Sequence, residues 1–121
     1  MTIHFGLFEE RVLHVEEHGA ICIADAECYI RVVCEVAQSS DQPIVVYIDA
    51  TQVTGFDPQA KLMLAASART PNVLEYIVVT SNPDSHGHSK SLSRHSTRGN
   101  TRLFQTHDEA MLRTHALLAM H

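Results

Sequence analysis

The sequence predicts an α/β fold: one small domain over residues 1–121, with a mixed sheet of mainly parallel central strands and an N-terminal hairpin. Two observations carry this. Ile44-Val45-Val46-Tyr47-Ile48 and Val73-Leu74-Glu75-Tyr76-Ile77-Val78-Val79-Thr80 are nearly continuous β-branched and aromatic runs bounded by turn residues, as strands covered on both faces read. The stretches between the apolar runs carry helical periodicity, and a parallel pair needs such a crossover because no tight turn can close it. A chain of 121 residues, 45% apolar and 19% charged, can bury a core without disulfide or metal staples.

The elements follow in the order β-β-α-β-α-β-α-β-α. Ile3 to Phe8 and Val12 to Glu16 form two short strands around Glu9-Glu10-Arg11, an opening hairpin whose turn lacks the Asn-Gly signature. From Asp25 to Gln38, Ala26, Ile30, Val33 and Ala37 repeat at the spacing of one buried helical face, and Ser39-Ser40-Asp41-Gln42-Pro43 ends it. After the strand at Ile44 to Ile48, Asp57-Pro58 opens the next helix, with Asp at the cap and Pro at the first helical position. Leu62, Met63, Ala65 and Ala66 are its expected buried side, and Thr70-Pro71-Asn72 stops it. Beyond the strand from Val73 lies a serine-rich crossover, expected to hold a helix over Ser89 to Arg98, and then a short strand, Arg102 to Gln105. The closing helix starts at Thr106, which forms a T-x-x-E capping box with Glu109. Ala110, Thr114, Leu117 and Leu118 line its inner face.

Charge and hydropathy exclude whole classes of function. Nine Lys and Arg against fourteen Asp and Glu leave a formal charge of −5, which repels phosphate backbones and speaks against nucleic acid as a partner. The longest apolar stretches, Ala20 to Ala24 and Ile44 to Ile48, fall far short of the roughly 20 residues of a membrane span. The amino terminus has neither the basic start nor the apolar run of a secretion signal, so a cytoplasmic location is expected. Cys22, Cys28 and Cys34 match neither a zinc pair nor a disulfide framework, and partly buried, reduced thiols are expected. On a helix, a spacing of six turns the side chain by about 240°, so Cys28 and Cys34 do not share a site.

Ligands of open parallel sheets sit beyond the carboxyl ends of the strands. The expected ends are Asp49-Ala50-Thr51, Thr80-Ser81-Asn82 and Gln105-Thr106. Asp49 with Thr51 is therefore a candidate, although a turn-forming Asp that binds backbone amides has the same signature. The segment after Ser81 carries Lys90, Arg94, Arg98 and Arg102 against Asp84 alone. If Ser89 to Arg98 is helical, Lys90, Arg94 and Arg98 share one face, and hydroxyls such as Ser81 and Ser89 with free amides would receive a phosphate or carboxylate. The bland alternative is a solvated polar crossover, since Leu92 is its one strongly apolar residue. His86, His88 and His95 are metal-ligand types, but their spacing fits no common site. No G-x-S-x-G, H-E-x-x-H, P-loop or G-x-G-x-x-G pattern is present, and no cofactor is implied.

The strand ending in Asp49, followed by Ala50-Thr51-Gln52-Val53-Thr54-Gly55-Phe56-Asp57 and a helix, resembles the corresponding stretch of STAS domains. It is most similar to their SpoIIAA-like branch, which is related in shape to SEC14 lipid-carrier domains. Phe104-Gln105-Thr106-His107-Asp108-Glu109-Ala110 is similar to that branch's ending, and the likeness extends from about Val12 to Leu118. The resemblance implies a non-enzymatic module that recognises a protein partner or its own copy. The alternative it offers is a carrier or sensor of a small anionic or lipid-like ligand near residues 81–98. Anti-sigma-factor antagonists carry Asp-Ser-Ser-Gly at the start of this helix and are phosphorylated there. This chain has Asp57-Pro58-Gln59-Ala60, which leaves Asp57 as a cap and no hydroxyl to modify.

Overall fold

The computed structural model describes residues 3–80 and 100–121. Its sheet has the order β1-β2-β3-β4-β5, formed by Ile3–Glu9, Val12–Ile21, Ile44–Phe56, Val73–Val79 and Thr101–Phe104. The hairpin partners β1 and β2 are antiparallel, and β2, β3, β4 and β5 run parallel. The three described helices are α1 (Ile23–Ser39), α2 (Pro58–Ser67) and α3 (His107–Met120). The mixed α/β architecture and its element order are those expected. The helix expected over Ser89 to Arg98 lies outside the described residues.

Alternation along β3 builds two cores from one strand. Ile44, Val46, Ile48, Ala50 and Val53 face α1 and α2, where they meet Ala26, Tyr29, Val33, Ala60 and Leu64. Val45 and Tyr47 face the other way and pack with Ile77, Val79, Ala110 and Leu117 under α3. On that side Glu75, 4% exposed, accepts two bonds from the Arg113 guanidinium at 3.0 and 2.8 Å and pairs with Arg102 at 3.2 Å. A buried carboxylate survives because its charge is met twice.

Two expectations about element limits are corrected. The strand expected to stop at Ile48 continues to Phe56, and β2 continues to Ile21 beside it. The reason is visible in the pairing: β3 takes an extra residue between its contacts with Glu16 and His18, and another between Gly19 and Ala20. These bulges let polar Thr51, Gln52 and Thr54 remain in a strand whose outer side is wet. Asp49 is thus not the end of the strand. It is the last β3 residue paired with β4, beyond which β2 and β3 project as a two-stranded ribbon. The second correction concerns α2, whose buried residues are Ala60, Leu64 and Ala65, whereas Leu62 is 58% exposed and Ala66 is exposed. The true stripe runs through Ala60, Leu64 and Ala68 at intervals of four, and small alanines hid it beside the bulkier Leu62 and Met63.

The turns are held by specific bonds rather than by glycine. Glu10 and Arg11 both take left-handed conformations, with φ of 54° and 68°. Arg11 is fixed by its Nε–H bond to the Pro43 carbonyl at 2.9 Å, while its own carbonyl accepts from Val45 N–H at 2.8 Å. At the sequence-predicted stop after α2, Asn72 sits at φ 69°. Its amide nitrogen donates to the carbonyls of Ala37, Ser40 and Gln42 at 2.8, 3.1 and 3.3 Å, and its carbonyl accepts from Ile44 N–H at 2.9 Å. One side chain therefore closes the end of α1 and aligns the starts of β3 and β4. Asn72→Ala removes those bonds and places a Cβ-bearing residue without a compensating side chain in the left-handed region. The expected cost is about 2–4 kcal/mol in urea unfolding, and Asn72→Gly is expected to cost less because it keeps the backbone conformation.

Candidate functional site

On the α3 side, the central strand, the bulge in β3 and the first turn of α3 converge on a groove of about 290 Å³. His14, Glu16, Tyr47, Asp49, His107 and Met111 line it. Thr106 caps α3 through its hydroxyl, which accepts from Glu109 N–H at 3.3 Å, and this start sets His107 against the sheet. The Asp49 carboxylate lies 3.5 Å from His107 Nε2, and the Tyr47 hydroxyl lies 2.7 Å from Nδ1. The Asp49 carboxylate can only accept, and the Tyr47 hydroxyl can donate to an unprotonated Nδ1. Burial first, then Asp49 and Asp108, push the Tyr47 phenol up to about 12, which keeps it a donor at neutral pH. The other Asp49 oxygen accepts from the Thr51 amide at 3.0 Å and the Thr51 hydroxyl at 2.7 Å.

The sequence-derived pair Asp49 and Thr51 is therefore brought together, in the amide-binding arrangement that was the bland alternative. Tyr47 and His107 join it, 60 residues apart in the chain. Both were within reach of sequence reasoning only as core and cap-neighbour residues, since nothing local links them. Chemically, the array orients an imidazole between an acid and a phenol, but no serine or cysteine is among the described residues that line the groove.

Asp57 lies at the far end of the ribbon, roughly 25 Å from Asp49 along the strand. Its carboxylate accepts from the amides of Gln59 and Ala60 at 2.8 and 3.3 Å, the capping role expected of it. Its own N–H donates to the Ile21 carbonyl at 2.8 Å, so α1 and α2 begin side by side. Ile23, 39% exposed, opens the first turn of α1, and Leu62, 58% exposed, lies one turn into α2. Cys22, next to Ile23, is exposed rather than partly buried, because it is the N-cap of α1; its thiol donates to Asp25 Oδ2 at 3.1 Å. Cys28 and Cys34 are half-buried with separate partners.

Ser81, Ser89, Lys90, Arg94 and Arg98, the remaining ligand candidates, lie outside the described residues, as do His86, His88 and His95. Among the described residues, no group of three His, Cys, Asp or Glu side chains could hold a metal ion, and no helix is long and apolar enough to cross a membrane.

Beneath α1 and α2 is a second, partly open cavity of about 40 Å³, bounded by Glu17, Tyr29, Phe56, Leu64, Tyr76 and Thr101 among others. Glu17 was not foreseen, although it breaks the inward apolar alternation of Leu13 and Val15. It is 4% exposed. Desolvation, reinforced by the nearby Asp25 charge, raises its carboxyl from 4.5 to about 7. Tyr29 is likewise pushed well above its ordinary value by burial, with smaller contributions from Tyr76 and Glu17.

No family model and no curated protein matches the sequence. Solved structures do. A SpoIIAA-like protein of the DUF3478 family from Shewanella loihica matches with a TM-score of 0.68 and 16% identity, over 93% of this chain and 93% of its own. An anti-sigma factor antagonist from Mycobacterium paratuberculosis matches with a TM-score of 0.67 and 20% identity, over 93% of this chain and 94% of its own.

Two expectations follow for these sites. Tyr47→Phe removes one hydrogen bond to His107 and should cost about 0.5–1.5 kcal/mol by denaturant midpoint. For Glu17, the folded state binds its proton more tightly than the unfolded chain does. The associated stability is therefore complete below pH 4.5 and lost as pH rises through about 7. Compared with wild type, Glu17→Gln should gain about 2–3 kcal/mol between pH 5 and pH 8 in paired urea titrations.

Proposed function

We infer, for a chain with the SpoIIAA-like fold of STAS domains, a regulatory and non-enzymatic role: it binds a protein partner through the paired starts of α1 and α2. The observation that carries this reading is the exposure of Leu62, with Ile23 on the neighbouring helix start, at the end of the sheet where Asp57 caps α2. Large apolar side chains held out on rigid helices suit a partner interface better than they suit water. The fold it shares with an anti-sigma factor antagonist supports a role in binding a protein partner.

Control of that surface would differ from phosphorylation at the helix start. From Asp57 to Ala60 there is no hydroxyl, and the Asp57 carboxylate already supplies the negative charge that complements the helix terminus. Partner affinity would then be set by the partner's state or by another part of this chain. The Tyr47–His107–Asp49 array is structural, since the Tyr47–His107 hydrogen bond and the Asp49–His107 contact tie α3 to β3.

The test compares wild type with Leu62→Asp, an exposed change expected to leave thermal stability within about 0.5 kcal/mol. Each protein is immobilised and exposed to extract from its own cells under cross-linking. Recovery of a discrete protein by wild type and its loss with Leu62→Asp is the expected result. Identical capture by both, or none by wild type, overturns the assignment.

A further inference from the structure

The cavity beneath α1 and α2 holds a chemical mismatch that the partner-binding reading neither uses nor explains. Its walls are largely hydrocarbon, from Ile48, Phe56, Leu64 and Val78, with the rings of Tyr29 and Tyr76 beside them. Into this setting β2 introduces Glu17, which is 4% exposed. Such a group carries a full desolvation penalty unless something with complementary charge or hydrogen-bonding capacity meets it. No lysine or arginine is among the described residues that line the cavity.

The occupant's chemistry follows from sign, size and wall type. An anion is excluded by a carboxyl that already feels the charge of Asp25. At about 40 Å³ the space is small, which favours a compact headgroup over a ring or a quaternary ammonium. An ammonium group fits: it is compact, donates up to three hydrogen bonds, and is attracted by aromatic faces as well as by a carboxylate. The partly open side leaves room for a short aliphatic tail against the apolar wall.

We propose that this cavity binds the ammonium end of a small primary alkylamine, with Glu17 as its counter-ion and Tyr29 and Tyr76 as its aromatic flanks. The site is separate from the surface around Leu62, so neither assignment depends on the other.

The experiment is a thermal-shift and two-dimensional NMR titration at pH 8 with methylamine, ethylamine and n-butylamine hydrochlorides. Sodium chloride, tetramethylammonium chloride and the alcohols of matching length serve as controls. A primary amine in about tenfold excess over its Kd is expected to raise Tm by about 2–5 °C, with none of the controls doing so. Amide signals of Glu17, Tyr29, Phe56 and Tyr76 are expected to move together. Glu17→Gln, which keeps size and shape, should lose the response, as should Ala68→Leu, which fills the cavity from α2. Equal shifts with the alcohols or with sodium chloride, an undiminished response in Glu17→Gln, or signal changes located elsewhere would overturn the proposal.

Discussion

Burial of β3 on both faces is the constraint on which the rest of the molecule depends. Its first five residues, Ile44 to Ile48, are each no more than 6% exposed. A strand in that position must have a hydrogen-bonded neighbour on each edge and a helical layer on each side, because any open backbone or apolar surface there would face water. β2 and β4 supply the edges, α1 and α2 one layer, and α3 the other. The two cavities inherit their positions from this plan. Each lies where a helix leaves part of the sheet surface uncovered, and each contains a residue that points off β3: Asp49 on one side, Ala50 on the other.

The division of labour between the two faces is chemical as well as spatial. The α3 face concentrates ionisable groups that satisfy one another: Glu75 with two arginines, Asp49 with His107 and Thr51. The opposite face is greasier, and there the buried carboxyl of Glu17, close to Asp25, stands out against hydrocarbon. Polar networks of the first kind fix one packing arrangement among many. A buried acid of the second kind, with its carboxyl raised to about 7, keeps its environment responsive to pH.

Much of the fold was legible in the residues themselves. The buried runs of β3 and β4, the Asp57-Pro58 start of α2, and the Thr106 cap of α3 all announce themselves through local patterns, and the structure keeps them. What escaped local reading shares one cause, dependence on distant partners. Thr51, Gln52 and Thr54 resemble a loop until β2 is placed beside them. Leu62 resembles a core residue until Ala60, Leu64 and Ala68 take the inner side. Tyr47 and His107 meet only because the start of α3 lands on the middle strand, and no short pattern encodes that encounter. Glu17 was the one detectable exception, an acid at an inward step of an otherwise apolar alternation.

The irregularity in β1 carries a further consequence. This strand is one margin of the sheet, and between Phe5 and Phe8 its pairing slips by one residue. A smooth margin is a ready template for another chain's backbone, and such recruitment leads to fibrils. The slip bends the row of outward-facing peptide groups so that a straight incoming segment cannot match them in succession. At the opposite margin the four-residue β5 is too short to serve as a template. Geometry thus discourages edge-to-edge strand pairing at both margins of the described sheet.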